Sequence, residues 1–414
     1  MSGYRTLRAA RPLAVLMLGA STLALGLTAA VAPTPARAQD TCVSGNNPLT
    51  GACNSATTTA INGVSVGVQA GTAVSGTGNT GVGFQSSFSV SGTNNTGVGL
   101  TSSLVVTGNE NTGTGVRSSL SVTGSGNTGD GAGASQSVAG SGNTGVGSGA
   151  VSGLGRPLGA SSMVTGSNNT GVGFSSSQNI TGNGNTGLGA GNVNGLAGQT
   201  GSSFSVTGSQ NTGAGFASSQ FIAGSNNTGV GAFASRSVTG SNNSGFGEDS
   251  SGSVTGADNV GLGTSSGVSV LGSFNTGVGD FSSQTVTGIG NLGFGDEASN
   301  RVTGGSNIGV GGEASFNITG SDDTGVGLLS SFGVVGSNDQ GFGQGASNTV
   351  TGSNDIGLGT AASTSVTGDN NNGFGLNAST TVTGDNNVGV GSGASQNITG
   401  SGNIGLGAGS LQGP

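Results

Sequence analysis

The stretch VTGSNNTGVGFSSSQN, Val164–Asn179, is one full copy of a phrase that fills the chain from Val74 to Gly413. Other copies read VTGSQNTGAGFASSQF at Val206–Phe221 and IAGSNNTGVGAFASRS at Ile222–Ser237, and VTGDNNVGVGSGASQN at Val382–Asn397 keeps the same 16-residue frame. A fixed period of this size means stacked structural coils, each touching only its neighbours. Numbered from the Val or Ile that opens each copy, there are 20 coils, from coil 1 at Val74–Ser89 to coil 20 at Ile398–Gly413.

Position one is Val or Ile in all 20 coils, and positions three, eight and ten are Gly in all 20. Position six is Asn in 17 and Asp in three, Asp323, Asp339 and Asp355. Position nine is apolar in 18, Thr114 and Asp130 being the exceptions, and position fourteen is mostly Ser. Fixed glycines supply positive φ at corners, or room where backbones pass closely. The columns at positions one and nine are predicted to stack into two apolar stripes facing each other across a thin core. Asn at a corner can bond its own turn and its equivalents above and below, giving a ladder.

The 92 glycines and the lack of a 3.6-residue apolar period exclude helix. The Gly, Ser and Asn content suits disorder, but a disordered tract has no reason to hold one register over 20 copies. The expected fold is all-β: a single-chain parallel β-solenoid, a β-roll or β-helix, of about 20 coils with an N-terminal cap. At the usual strand spacing of ~4.8 Å the stack is on the order of 95 Å long.

Two coils are longer, Val138–Met163 and Ile180–Ser205, at 26 residues each. Their extra residues follow position ten and resemble each other, GAVSGLGRPLG at Gly149–Gly159 against GNVNGLAGQTG at Gly191–Gly201. With one ordinary coil between them, both leave the same edge, where insertions in solenoids form binding surfaces. Leu154, Arg156, Pro157 and Leu158, with Val193, Leu196 and Gln199 beside them, are the candidate binding residues.

The chain opens with Arg5, Arg8 and Arg11, an apolar run from Leu13 to Val31 and Ala36-Arg37-Ala38, the pattern of a secretory signal cleaved after Ala38. This gives a domain plan of signal 1–38, cap 39–73 and repeat domain 74–414. Cys42 and Cys53 lie in the cap and, in an exported protein, are expected to pair as a disulfide. The processed chain keeps four Arg against 16 acids, 4 − 16 = −12, which argues against nucleic acid and anionic membranes. Among the acids, 13 lie at or beyond Glu248. No later apolar run is long enough to span a bilayer, so no membrane insertion is expected.

The processed chain has no His, Lys, Trp or Tyr, which removes most general bases, Schiff-base lysines and stacking platforms. Paired carboxylates remain at Glu248-Asp249, Asp296-Glu297 and Asp322-Asp323, but adjacent residues on a strand-rich coil point apart rather than across a cleft. No enzyme activity and no cofactor are expected. Turns such as GSNDIG at Gly352–Gly357 leave room for weak calcium binding in the acidic half, although the nine-residue calcium-roll pattern is absent. Positions sixteen and two flank the inward Val or Ile and often carry hydroxyls, as in Thr285 with Thr287, Thr349 with Thr351, Thr381 with Thr383 and Ser121 with Thr123. An outward Thr/Ser-x-Thr array is how β-solenoid ice-binding proteins present hydroxyls, which makes ice binding the alternative function. Val105, Phe221, Arg301 and Gly333 interrupt the array.

The order N-T-G-V-G at Asn169–Gly173, then Ser176-Ser177, then Ile180–Asn183, resembles the head repeats of YadA-type trimeric autotransporter adhesins, whose units run NSVAIGxxSxATGxN. The unit here is longer, and Gly stands where that family often has Val. The resemblance implies a β-roll that can trimerise on the outer surface of a bacterium. The expected protein is therefore exported and adhesin-like or structural, a secreted or cell-surface molecule attaching to a surface, cell or matrix ligand, with a homotrimer as the expected oligomer.

Overall fold

The computed structural model describes residues 41–43, 60–61, 63–147, 161–174, 176–189 and 203–413. All regular structure among them is β, and every strand pair is parallel and stacked in register. Each coil has two walls. The first is a three-residue strand at positions seven to nine, such as Thr170–Val172, which pairs with Thr186–Leu188 of the next coil as Thr170↔Thr186, Gly171↔Gly187 and Val172↔Leu188. Repetition of that pairing builds one parallel sheet of 22 strands.

The second wall is a five-residue strand from position fourteen to position two, such as Ser119–Thr123. It forms a nine-stranded sheet and, further on, a five-stranded one. Between them the wall thins to short strands and single bridges such as Thr255↔Leu271 and Leu271↔Thr287. The thinning coincides with left-handed backbone at position fourteen, where Ser251, Ser283, Ser299, Ser315 and Ser331 have φ of 49–53° and cannot extend.

The interior differs from the expected pair of apolar stripes. Position one is the sole large apolar column inside: all 20 residues from Val74 to Ile398 are buried and form one continuous cluster. Position nine points outward, and Val98, Val172, Leu262 and Leu358 are exposed. Side chains alternate along a strand, so the inward slot of T-G-V belongs to Gly at position eight. That glycine stays because the walls nearly touch. A Cβ on Gly97 would lie 2.4 Å from Ser86 O, and one on Gly129 2.3 Å from Ser118 O. The glycine at position ten has the other reason, a corner: Gly83 has φ +122° and faces the Gly99 carbonyl of the next coil.

Polar columns, with small Ala or Ser at position thirteen, fill the rest of the interior. Asn95 donates from its backbone N–H and its Nδ2 to Asn79 Oδ1, both at 3.0 Å, and from Nδ2 to Gly108 O at 2.8 Å. The same bonds repeat coil by coil as far as Asn307, so each of these ladder asparagines is satisfied. Serine at position fourteen ties the walls together, Ser87 Oγ donating to Thr80 O at 2.8 Å and Ser347 Oγ to Gln340 O at 2.9 Å. Hydrogen bonds therefore hold this interior alongside the burial of the position-one column.

The segment before coil 1, expected as a cap out of register, carries the stack further where it is described. Val64–Val66 pairs in register with Thr80–Val82, and Thr41–Val43 pairs with Val64–Val66. Gly67 has φ +124°, as at position ten, and Ala70 is buried, as at position thirteen. The expected signal, residues 1–38, and Cys53 lie outside the described residues, while Cys42 sits in the strand Thr41–Val43.

Candidate functional site

The candidate binding residues Leu154, Arg156, Pro157, Leu158, Val193, Leu196 and Gln199 lie outside the described residues. Their point of departure is described. Ser135 pairs with Ser161 and Ser161 with Ser177, so the ladder passes the first insertion without a slip. Ser177 pairs with Ser203 across the second. Both insertions thus leave between positions ten and fourteen, from the same corner of coils 5 and 7.

The expected hydroxyl face is only partly flat. Thr285, Thr287, Thr349, Thr351, Thr381 and Thr383 are all exposed, as alternation about the inward Val requires. Position sixteen is left-handed, however: φ is +55° at Thr285, +56° at Thr349 and Thr381, and +59° at Ser121. The wall pairings accordingly step over that residue, with Leu120↔Gln136 followed by Val122↔Val138. This left-handed residue, present in coils 1 to 19, interrupts the pleat between the two hydroxyl columns.

The regular outward surface lies on the other wall. None of positions seven to nine carries a left-handed residue, and the 22 strands stay in unbroken register. Position seven is Thr in coils 1 to 9, from Thr80 to Thr228, and beyond them it includes Val260, Leu292, Ile308, Ile356, Val388 and Ile404. Position nine beside it presents Val, Leu and Phe, with Phe246 40% exposed, Phe294 41% and Leu358 50%. From Val230 to Leu406 that apolar column is uninterrupted over 12 coils. Sequence pattern alone hid it, because an apolar residue alternating with Gly reads as the buried member of the pair.

Acids border this wall. Glu248, Asp280 and Asp296 follow it at position eleven, and Asp258 and Asp322 precede it at position five. Cations are few: Arg236 pairs with Asp249 at 3.5 Å and lies 5.6 Å from the Phe233 ring, Arg301 lies 5.1 Å from that of Phe316, and Arg117 is exposed. No cluster of three or more metal-ligating side chains occurs among the described residues. No family model matches the chain, and no similar curated protein or solved structure is found.

Proposed function

We propose that this protein is an exported, non-enzymatic β-solenoid of a bacterial cell exterior that attaches to a surface, cell or matrix ligand through repeated contacts along one wall. The observation that carries this reading is the outward apolar column from Val230 to Leu406, nine of its 12 residues exposed and Val278, Val326 and Phe374 half-buried, presented at one residue per coil on an unbroken parallel sheet. Each such side chain offers on the order of 1.5–3 kcal/mol if fully buried, too little alone but large when many engage together. The acidic borders restrict the partner to apolar surfaces or surfaces that carry cations.

The test replaces Val230, Phe246, Leu262, Val278 and Phe294 by Ser and measures retention on alkyl-coated beads and on cell monolayers. Retention should fall by about tenfold or more with the β circular dichroism unchanged. Undiminished retention would move recognition from the wall to the insertions of coils 5 and 7. A second reading, ice binding, is favoured by the nine successive threonines at position seven of coils 1 to 9. Thermal hysteresis in dilute solution, abolished by Thr144→Tyr, would support it over attachment.

A further inference from the structure

The asparagine ladder changes character in three adjacent coils. At position six of coils 15, 16 and 17 stand Asp323, Asp339 and Asp355, each 0% exposed. Their backbone bonds continue as in the other coils: Asp323 N–H donates to Asn307 Oδ1 at 3.0 Å, Asp339 N–H to Asp323 Oδ1 at 2.9 Å, and Asp355 N–H to Asp339 Oδ1 at 2.8 Å. Asn371 N–H in turn donates to Asp355 Oδ1, so Oδ1 is used in each aspartate. Oδ2 of all three is buried with no hydrogen-bond partner.

That oxygen occupies the place of an amide nitrogen. A Cβ built on Gly320, Gly336 or Gly352 would lie 2.8–2.9 Å from the Oδ2 of the aspartate three residues on, just as Gly140 and Gly224 would lie 3.3 Å from the Nδ2 of Asn143 and Asn227. In an asparagine coil Nδ2 donates there to two acceptors. Asn307, for instance, gives to Asn291 Oδ1 at 2.9 Å and Gly320 O at 3.0 Å. A carboxylate in the same slot would turn a charged acceptor toward other acceptors, and only a protonated Oδ2 can donate. The backbone registers the change. The position-three glycines of the other 18 coils have φ between +101° and +151°, and only Gly320 and Gly336, in two of the aspartate coils, fall outside that range.

We propose that Asp323, Asp339 and Asp355 form a proton-holding corner: as carboxylic acids they continue the asparagine ladder, and loss of their protons to solvent loosens coils 15–17. The surroundings leave a carboxylate no counter-charge. The charged groups nearest the corner are Asp322, Asp369 and Asp385, and no Arg or Lys occurs beyond Arg301. Across the interior, positions thirteen, fourteen and one of these coils carry only Ser, Ala, Val and Ile. Burial pushes the carboxyls of Asp323 and Asp355 up to about 7 and that of Asp339 up to about 8; the backbone N–H that each accepts pulls the other way, as does the Asn371 side chain at Asp355, and neighbouring aspartates add a smaller upward push.

The direction follows from linkage. These groups hold protons more tightly folded than unfolded, where each titrates near 3.8. The corner is therefore most stable in acid, loses stability as pH rises from about 4 through 7 to 8, and changes little above that.

The test compares the whole chain with the D323N/D339N/D355N variant, whose corner has the residue used in 17 other coils. Between about pH 5 and about pH 9, potentiometric titration should find roughly three more protons released by the natural chain. Over the same range, after correction for intrinsic exchange, amides of coils 14–18 should lose about tenfold or more protection in the natural chain only, with coils 1–9 unchanged in both. Infrared spectra of the natural chain alone should show a protonated-carboxyl band at about pH 5 that disappears by about pH 9. Equal proton release by the two chains, or no such band, would overturn the proposal.

Discussion

Gly245→Val tests the interior most directly, because Gly245 is a position-eight glycine within the strand Ser244–Phe246 and its restriction is spatial rather than conformational. A Cβ there would stand 2.5 Å from Ala234 O, 2.8 Å from Ser250 O and 3.0 Å from Ser235 Oγ. Two of these atoms are backbone and cannot swing aside, and valine then adds two methyl groups beyond the first. The walls must separate, and with them go the cross-wall bonds Ser235 Oγ to Thr228 O, 2.8 Å, and Ser251 Oγ to Ser244 O, 2.9 Å. Overpacking costs about 1–3 kcal/mol and two lost hydrogen bonds about 1 kcal/mol each, so the local penalty is about 3–5 kcal/mol. At about 1.4 kcal/mol per factor of ten, amide protection in coils 9–11 should fall by about a hundredfold or more. Coils 1–3 and 18–20, which share no contact with the site, should keep theirs. Thr360→Ala, at an exposed residue, serves as the control, whereas Gln284 would not, since its Nε2 donates to Ser265 O at 2.7 Å. Equal protection in the Gly245 and Thr360 variants would refute the closely apposed walls.

Asn243→Ala removes the side chain that gives to Asn227 Oδ1 and Gly256 O and receives from Asn259, so denaturant unfolding should show a loss of about 3–5 kcal/mol from buried groups left unpaired. Cys42 and Cys53, if bonded, stabilise the start of the stack by roughly 3 kcal/mol, and alkylation of exported protein without reductant should label neither thiol. Trimming coils 5 and 7 to the ordinary length should leave the β circular dichroism intact, because Ser135↔Ser161 and Ser177↔Ser203 already pair across the insertions. If binding disappears with the trimmed loops, Leu154, Arg156, Leu158 and their neighbours carry it rather than the wall.

The parts of the fold legible in sequence were those set by exact repetition. The period gave the coil, Val or Ile at position one gave the buried column, and Asn at position six gave the ladder. Position nine was misread for a definite reason. Apolar patterning assumes that the inward partner of an alternating pair has a side chain, and here the inward partner is Gly81, Gly97 and their equivalents, packed as bare backbone. The left-handed backbone at position sixteen had no signature either, since its slot holds residues as different as Val105, Phe221, Arg301 and Thr381. Residues 64–73 stayed hidden because the backbone keeps the coil register there while most of the consensus side chains are gone. The exposed wall, and with it the candidate surface, emerges only when the inward-facing residue is known.

The sameness of successive pairings has a consequence for how such a molecule changes over generations. Asn227 meets Asn211 and Asn243 through the same atoms, as Val206 meets its counterparts above and below. Excision of one whole phrase, such as residues 206–221, would bring together two edges that already fit. Misaligned recombination between near-identical stretches of the gene would thus yield shorter or longer proteins that still fold, with length itself as the freely varying trait. The three aspartates are an exception to that interchangeability, a mark at one address on an otherwise uniform scale.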